Sequence, residues 1–202
     1  MPVFALILVG VITTALYAVL VAIPVYAAKP SFDCAKAGSE VEALICKNDE
    51  LAALDHKMVE VYKTALNNAP ENERNTLKAM QRGWIKGRDD CWKADDIEEC
   101  VRFNYESRIT ELQIQYGQLM VPEPVYFRCG ESNSPEDTVI AVFYQDSQLP
   151  AAVLTRGDDQ VIALLSPSAS GSKYEGRNVT FWEKGGKALV TWMREDLRCQ
   201  AK

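Results

Sequence analysis

The residues with chemistry to offer are few, and their spacing limits what they can do. There is one histidine, His56, and there are six cysteines, Cys34, Cys46, Cys91, Cys100, Cys129 and Cys199. A histidine-rich metal site is therefore excluded. No cysteine pair has C-x-x-C spacing, which argues against a zinc or redox centre. His56 falls between the apolar positions of its helix and reads as a surface residue. Cysteine–histidine catalysis would need a free thiol, and an even count leaves none. The adjacent carboxylates Asp95-Asp96 and Glu98-Glu99 are poor candidates for an acid–base pair, because neighbouring positions on a helix point in different directions. Two other features could approach a partner closely, although by composition alone they read first as a flexible turn and as solubilising lysines. One is a small-residue loop, Ser166-Pro-Ser-Ala-Ser-Gly-Ser172, followed by Lys173 and Tyr174. The other is Gly185-Gly186, a two-residue hairpin signal with Lys184 and Lys187 on either side.

Composition narrows the class. The 202 residues carry 22 Lys and Arg against 28 Asp and Glu, a net charge of −6. Residues 29–120 contribute 13 basic and 17 acidic side chains, and residues 121–202 contribute 9 and 11. A nucleic-acid binder would show a basic excess, so none is expected. A basic partner suits this balance better.

Residues 1–28 contain no charged side chain. The apolar run PVFALILVGVITTALYAVLVAIPVYAA ends in small residues suited to signal peptidase, with Ala27 as the first choice of cleavage site. About 21 apolar residues would also span a bilayer, so a retained anchor is the alternative. Either way the remainder is exported, to the periplasm or cell envelope. Asp33 precedes Cys34, so no lipobox is formed and no lipid anchor is expected there. An even number of cysteines in an exported chain reads as disulfides. Four lie in the first half, where they allow three connectivities. A bridge between Cys129 and Cys199 would close about seventy residues and contribute roughly 4 kcal/mol.

Two kinds of element must position these residues. Leu51, Leu54, Met58, Val61, Tyr62 and Ala65 recur at helical spacing after an Asn48 or Asp49 cap. Asn67-Asn68 ends that helix, and Pro70 suits the first turn of the next. Leu77, Met80, Trp84 and Cys91 continue the period, and Ile97, Val101, Tyr105, Ile109, Leu112 and Tyr116 form a third stripe. Tyr62, Trp84 and Tyr105 read as core. After the stiff joint Val121-Pro122-Glu123-Pro124 the period changes to two. The expected strands are 125–129, 138–144, 151–156, 160–165, 172–176, 178–184 and 187–193, forming an antiparallel sandwich or closed barrel. The reading is an α+β chain of two domains: residues 1–28 as signal or anchor, 29–118 a disulfide-tied helical bundle, 119–125 a linker, and 126–202 a small antiparallel β domain.

The helical residues also carry a likeness. Phe32-Asp33-Cys34, Ile45-Cys46, Leu54-Asp55, Tyr62, Gln81-Arg82-x-Trp84, Arg88-Asp89-x-Cys91, Cys100 and Tyr105-x-x-Arg108-Ile109 resemble the LprI N-terminal family, a small exported helical domain. That resemblance implies the pairing Cys34–Cys91 and Cys46–Cys100.

In the second half, Ser168-Ala169-Ser170-Gly171-Ser172-Lys173-Tyr174 and Phe181-Trp182-Glu183-Lys184-Gly185, framed by Cys129 and Cys199, resemble the MliC/PliC inhibitors of c-type lysozyme. The likeness implies a small antiparallel β-barrel with no catalytic activity and no cofactor. It implies c-type lysozyme as the protein partner. By position, Ser170 and Lys184 would enter the lysozyme cleft, with Gly171, Tyr174, Trp182 and Gly185 around them. The alternative is an envelope module that binds another envelope protein or peptidoglycan. The sequence leaves oligomeric state open.

Overall fold

A computed structural model describes residues 29–132 and 134–202. The expected signal or anchor, residues 1–28, lies outside these. No helix among the described residues is long and apolar enough to cross a membrane.

Four helices come first: α1 (Glu40–Ile45), α2 (Asp49–Asn68), α3 (Arg74–Asp89) and α4 (Ile97–Gln115). Each start has a local cause. The Ser39 hydroxyl accepts from the Glu42 N–H, and the Asn48 side chain accepts from the N–H groups of Glu50 and Leu51. Asp96 caps α4 by accepting from Glu99 N–H, so it is a structural carboxylate rather than half of an acid–base pair. Glu98 and Glu99 both pair with Arg102. Pro70 lies one turn ahead of α3, in a tight turn closed by the Glu73 N–H on the Pro70 carbonyl, not in its first turn. Val41, Ile45, Leu51, Met58, Val61, Leu77, Val101, Tyr105, Ile109 and Leu112 form one core. Met80 departs from its stripe and is 50% exposed, because α3 buries only Leu77, Gln81 and Arg88. His56 is exposed, as expected, and its ring meets the Lys29 carbonyl.

The helical core contains a polar chain. Tyr105 OH donates to Asp55 at 2.9 Å and accepts from Arg88 at 2.7 Å, and the second Asp55 oxygen accepts from Ser31 N–H at 2.6 Å. Burial, reinforced by Asp55, pushes the Tyr105 hydroxyl far above its ordinary pKa, although Arg88 opposes this.

The pairing implied for the first four cysteines is wrong. The bridges are Cys34–Cys46 and Cys91–Cys100, with Cα separations of 5.9 and 5.7 Å. The reason is local. Cys34 and Cys46 sit on either side of α1, and Cys91 lies in the short 3-10 turn that feeds the first turn of α4. Each bridge closes a loop between neighbouring elements rather than spanning the bundle. Cys129–Cys199 forms as expected, with a separation of 70 residues.

Eight antiparallel strands follow in sequence order and close into a barrel: β1 (Val125–Arg128), β2 (Thr138–Tyr144), β3 (Ala151–Arg156), β4 (Asp159–Ser166), β5 (Ser172–Gly176), β6 (Val179–Lys184), β7 (Lys187–Trp192) and β8 (Glu195–Ala201). β1 pairs with β8 through Phe127–Ala201 and Arg128–Gln200, so no sheet edge is left open. The alanines at 141, 152, 163 and 188 leave room in a narrow barrel for Phe127 and Phe181, whose rings meet edge-on at 5.0 Å. β8 was not expected from the sequence. Its inward residues Leu197, Cys199 and Ala201 do alternate, but the turn before it has Met193 at φ 57° where glycine or asparagine would have signalled a hairpin.

Candidate functional site

In an up-and-down barrel, alternate connections lie at the same end. The β2–β3, β4–β5 and β6–β7 connections share one end here, and the last two are the features singled out in the sequence. β6 and β7 are joined by Gly185 (φ 59°) and Gly186 (φ 79°), with Lys184 paired to Lys187 across the turn. Positive φ at both positions is what a type I′ turn requires. The Glu183 carboxylate accepts from Gly186 N–H at 2.7 Å. The Gly186 carbonyl accepts from Ala201 N–H at 2.7 Å and from the Gln200 amide at 2.9 Å, which ties the turn to β8.

The serine loop is fixed from both sides. Ser168 Oγ donates to the Gly171 carbonyl at 2.9 Å, and the Trp182 indole N–H donates to the Ser170 carbonyl at 2.7 Å. Gly171 has φ 70°, and a Cβ there would lie 2.2 Å from the Glu183 carbonyl oxygen and 3.0 Å from the Lys184 Cβ. Only glycine fits such an approach. The two connections therefore touch along their backbones, and their tips adjoin.

Between them lies a hollow of about 410 Å³ lined by Ser170, Trp182, Lys184, Lys187 and Leu189. Its lining joins one serine and two lysines to an apolar tryptophan and leucine. Trp182 is 37% and Leu189 52% exposed. No carboxylate lines it, and among the described residues no group of three or more His, Cys, Asp or Glu side chains could hold a metal. The arrangement suits carboxylates supplied by a partner.

Five of the six candidate residues, Ser170, Gly171, Trp182, Lys184 and Gly185, come together at this end. Tyr174 does not join them. It points into the barrel at 3% exposure, tilts against Phe143, and accepts from the Gln145 amide at 3.3 Å. Its place in the motif is that of a support beneath the loop. Nearby Glu175 is held below the usual carboxylate range by its hydrogen bond with Lys173. Leu189 was missed in the sequence, although a leucine on the outward phase of an alternating strand was a readable signal.

Comparison with known proteins agrees with this architecture. Residues 127–198 match the family described as membrane-bound lysozyme-inhibitor of c-type lysozyme, MliC. Residues 33–112 match the family described as lysozyme inhibitor LprI. These are inhibitor families, not enzymes. The chain is 31% identical over 170 residues to lipoprotein LprI of Mycobacterium tuberculosis and to that of Mycobacterium bovis, covering 84% of this chain and 83% of each relative. With an LprI domain followed by an MliC domain, the chain belongs to the family of the mycobacterial lipoprotein LprI.

Proposed function

We propose that the protein is an exported inhibitor of c-type lysozyme that works by plugging the catalytic cleft with the Ser170 hydroxyl and the Lys184 ammonium. The observation that carries this reading is the contact between the two tips: Gly171 against Glu183, with Ser170 held by the Trp182 indole. The backbones that carry the two groups are held before binding, so the loop and the turn lose little freedom there.

Lysozyme needs one carboxyl group as general acid and a second carboxylate as nucleophile or stabiliser. Their difference in proton affinity comes from local environment. An ammonium placed beside both favours their charged forms and so removes the acid. A serine hydroxyl donates to a carboxylate while accepting from a neighbour. The inserted tips also fill the site of the scissile bond, so inhibition requires no turnover. The c-type enzymes are typically basic, and a chain of net charge −6 gains encounter rate from long-range attraction.

In this reading residues 29–118 and 126–202 are two modules joined by 119–125. Residues 2–28 direct export to the cell envelope, as a cleaved signal or a retained anchor. The sulfur of Cys34 is bonded to Cys46, so a lipid thioether there and this bridge exclude each other. A turbidity assay with the whole exported chain against c-, g- and i-type lysozymes tests the reading. Inhibition of the c-type enzyme alone is expected, and an uninhibited c-type enzyme would refute it.

A further inference from the structure

The helical module meets the barrel at the end that carries the tips. The β2–β3 connection, residues 145–150, lies against α4. Thr110 Oγ1 accepts from Leu149 N–H at 2.8 Å, Gln113 Oε1 accepts from Gln148 N–H at 3.0 Å, and Glu106 accepts from the Gln148 amide at 3.3 Å. Lys57 of α2 donates to the same Gln148. Farther along α4, Glu111 and Gln115 share a cleft with Gln160, Ile162 and Arg177. Gln160 and Arg177 belong to the opposite end of the barrel. The C-terminal half of α4 therefore runs down the barrel wall, and its N-terminal half continues past the end that presents Ser170 and Lys184.

Phe103 lies on that overhang. It is seven residues before Thr110, hence on nearly the same face of α4 and about 10 Å farther out. It is 51% exposed. Glu99 and Glu106, at i−4 and i+3, flank it on the helix surface. Behind it Glu50, Glu98 and Glu99 surround Arg102, and Lys57 is a second cation, bound to Gln148 next to Glu106. The overhang is thus an aromatic side chain on a mainly acidic surface, at the same end of the barrel as the tips. We infer that it is a second contact for the lysozyme seated on the tips, with Phe103 packing against the rim of the cleft and the carboxylates facing the enzyme's basic surface. This inference rests on the inhibitor reading above. Its partner follows from its place at the same barrel end as the tips and from opposite charge, and it gives the helical module a direct part in binding.

The test is the dissociation constant for a c-type lysozyme, measured with the full exported chain and three variants. Phe103→Ala should weaken binding roughly fivefold to tenfold, mainly by faster dissociation, with an unchanged melting temperature. Phe103→Trp should restore it. Glu99→Lys should weaken binding about threefold at low salt and less at high salt. Binding within twofold of wild type for Phe103→Ala, when Lys184→Ala has lost it, would overturn the second contact and leave the tip reading standing. A wild-type chain that does not bind would refute both.

Discussion

The two halves of the molecule solve the same problem with different means. The helical half buries Asp55, Gln81, Arg88 and Arg108 within its bundle, and the hydrogen bonds from Arg108 to Gln81 and from Arg88 through Tyr105 to Asp55 fix how the helices cross. The barrel core is almost wholly apolar, because its closed ladder of strands already satisfies the backbone and sets the register. The bridges differ in the same sense. The helical ones close loops of 12 and 9 residues, and the barrel's closes 70. A barrel fixed by its own backbone is free to spend connections on function, so the tips sit on connections that no core residue needs.

The largest effect that would sharpen this contrast comes from the bridges. Replacing Cys129 and Cys199 together by Ser should cost the barrel about 4 kcal/mol, against about 3 kcal/mol for either helical pair. Segment-resolved hydrogen exchange would show it. Equal losses in the two halves would mean that loop length does not govern these bridges.

Next is Gly171→Ala. Its Cβ meets the Glu183 carbonyl and its φ is positive, so a loss of roughly 2–4 kcal/mol is expected, confined to the barrel. Inhibition should fall by more than stability alone explains, because the serine loop must move away from β6. An unchanged variant would show that the tips need not touch.

The smallest effect concerns alkaline pH. The Tyr105 hydroxyl, raised by burial, keeps its proton in the folded state at pH values where the unfolded chain, with a tyrosine pKa of about 10, releases it. The unfolded state then binds fewer protons, so stability falls as pH rises above about 10, by up to roughly 1.4 kcal/mol per pH unit. Tyr62 and Tyr144 are raised too, chiefly by burial, and Tyr105 is the most strongly shifted. Protection of helical amides should therefore decline more steeply than that of barrel amides, and Tyr105→Phe should flatten the difference.

Much of this was legible in the chain. Helical spacing located α2 and α4, and alternation with glycine-marked turns located seven strands. The two motifs located the tips, since Gly171 and the Gly185-Gly186 pair are residues whose backbone geometry requires them. What escaped was set by packing between elements. The short-range disulfides depend on where α1 and the turn before α4 bring their cysteines. β8 follows a turn whose left-handed residue is Met193. Tyr174 reads like a contact residue in its motif but lies inside the barrel, a matter of strand phase. Phe103 is outward on a helix whose stripe marks only the inward face, so nothing local reveals its position relative to the tips.

The central claim is that Lys184, among the cations of its hairpin, is the one that disables lysozyme. The inhibition constant against a c-type lysozyme should therefore be compared for Lys184→Ala and Lys187→Ala, two charge losses facing each other across one turn. The account predicts that Lys184→Ala loses inhibition by about a hundredfold or more, the scale of a buried charge contact, while Lys187→Ala changes it by only a few-fold, with both melting as wild type does. Equal effects, or an unaltered constant for Lys184→Ala, would contradict it.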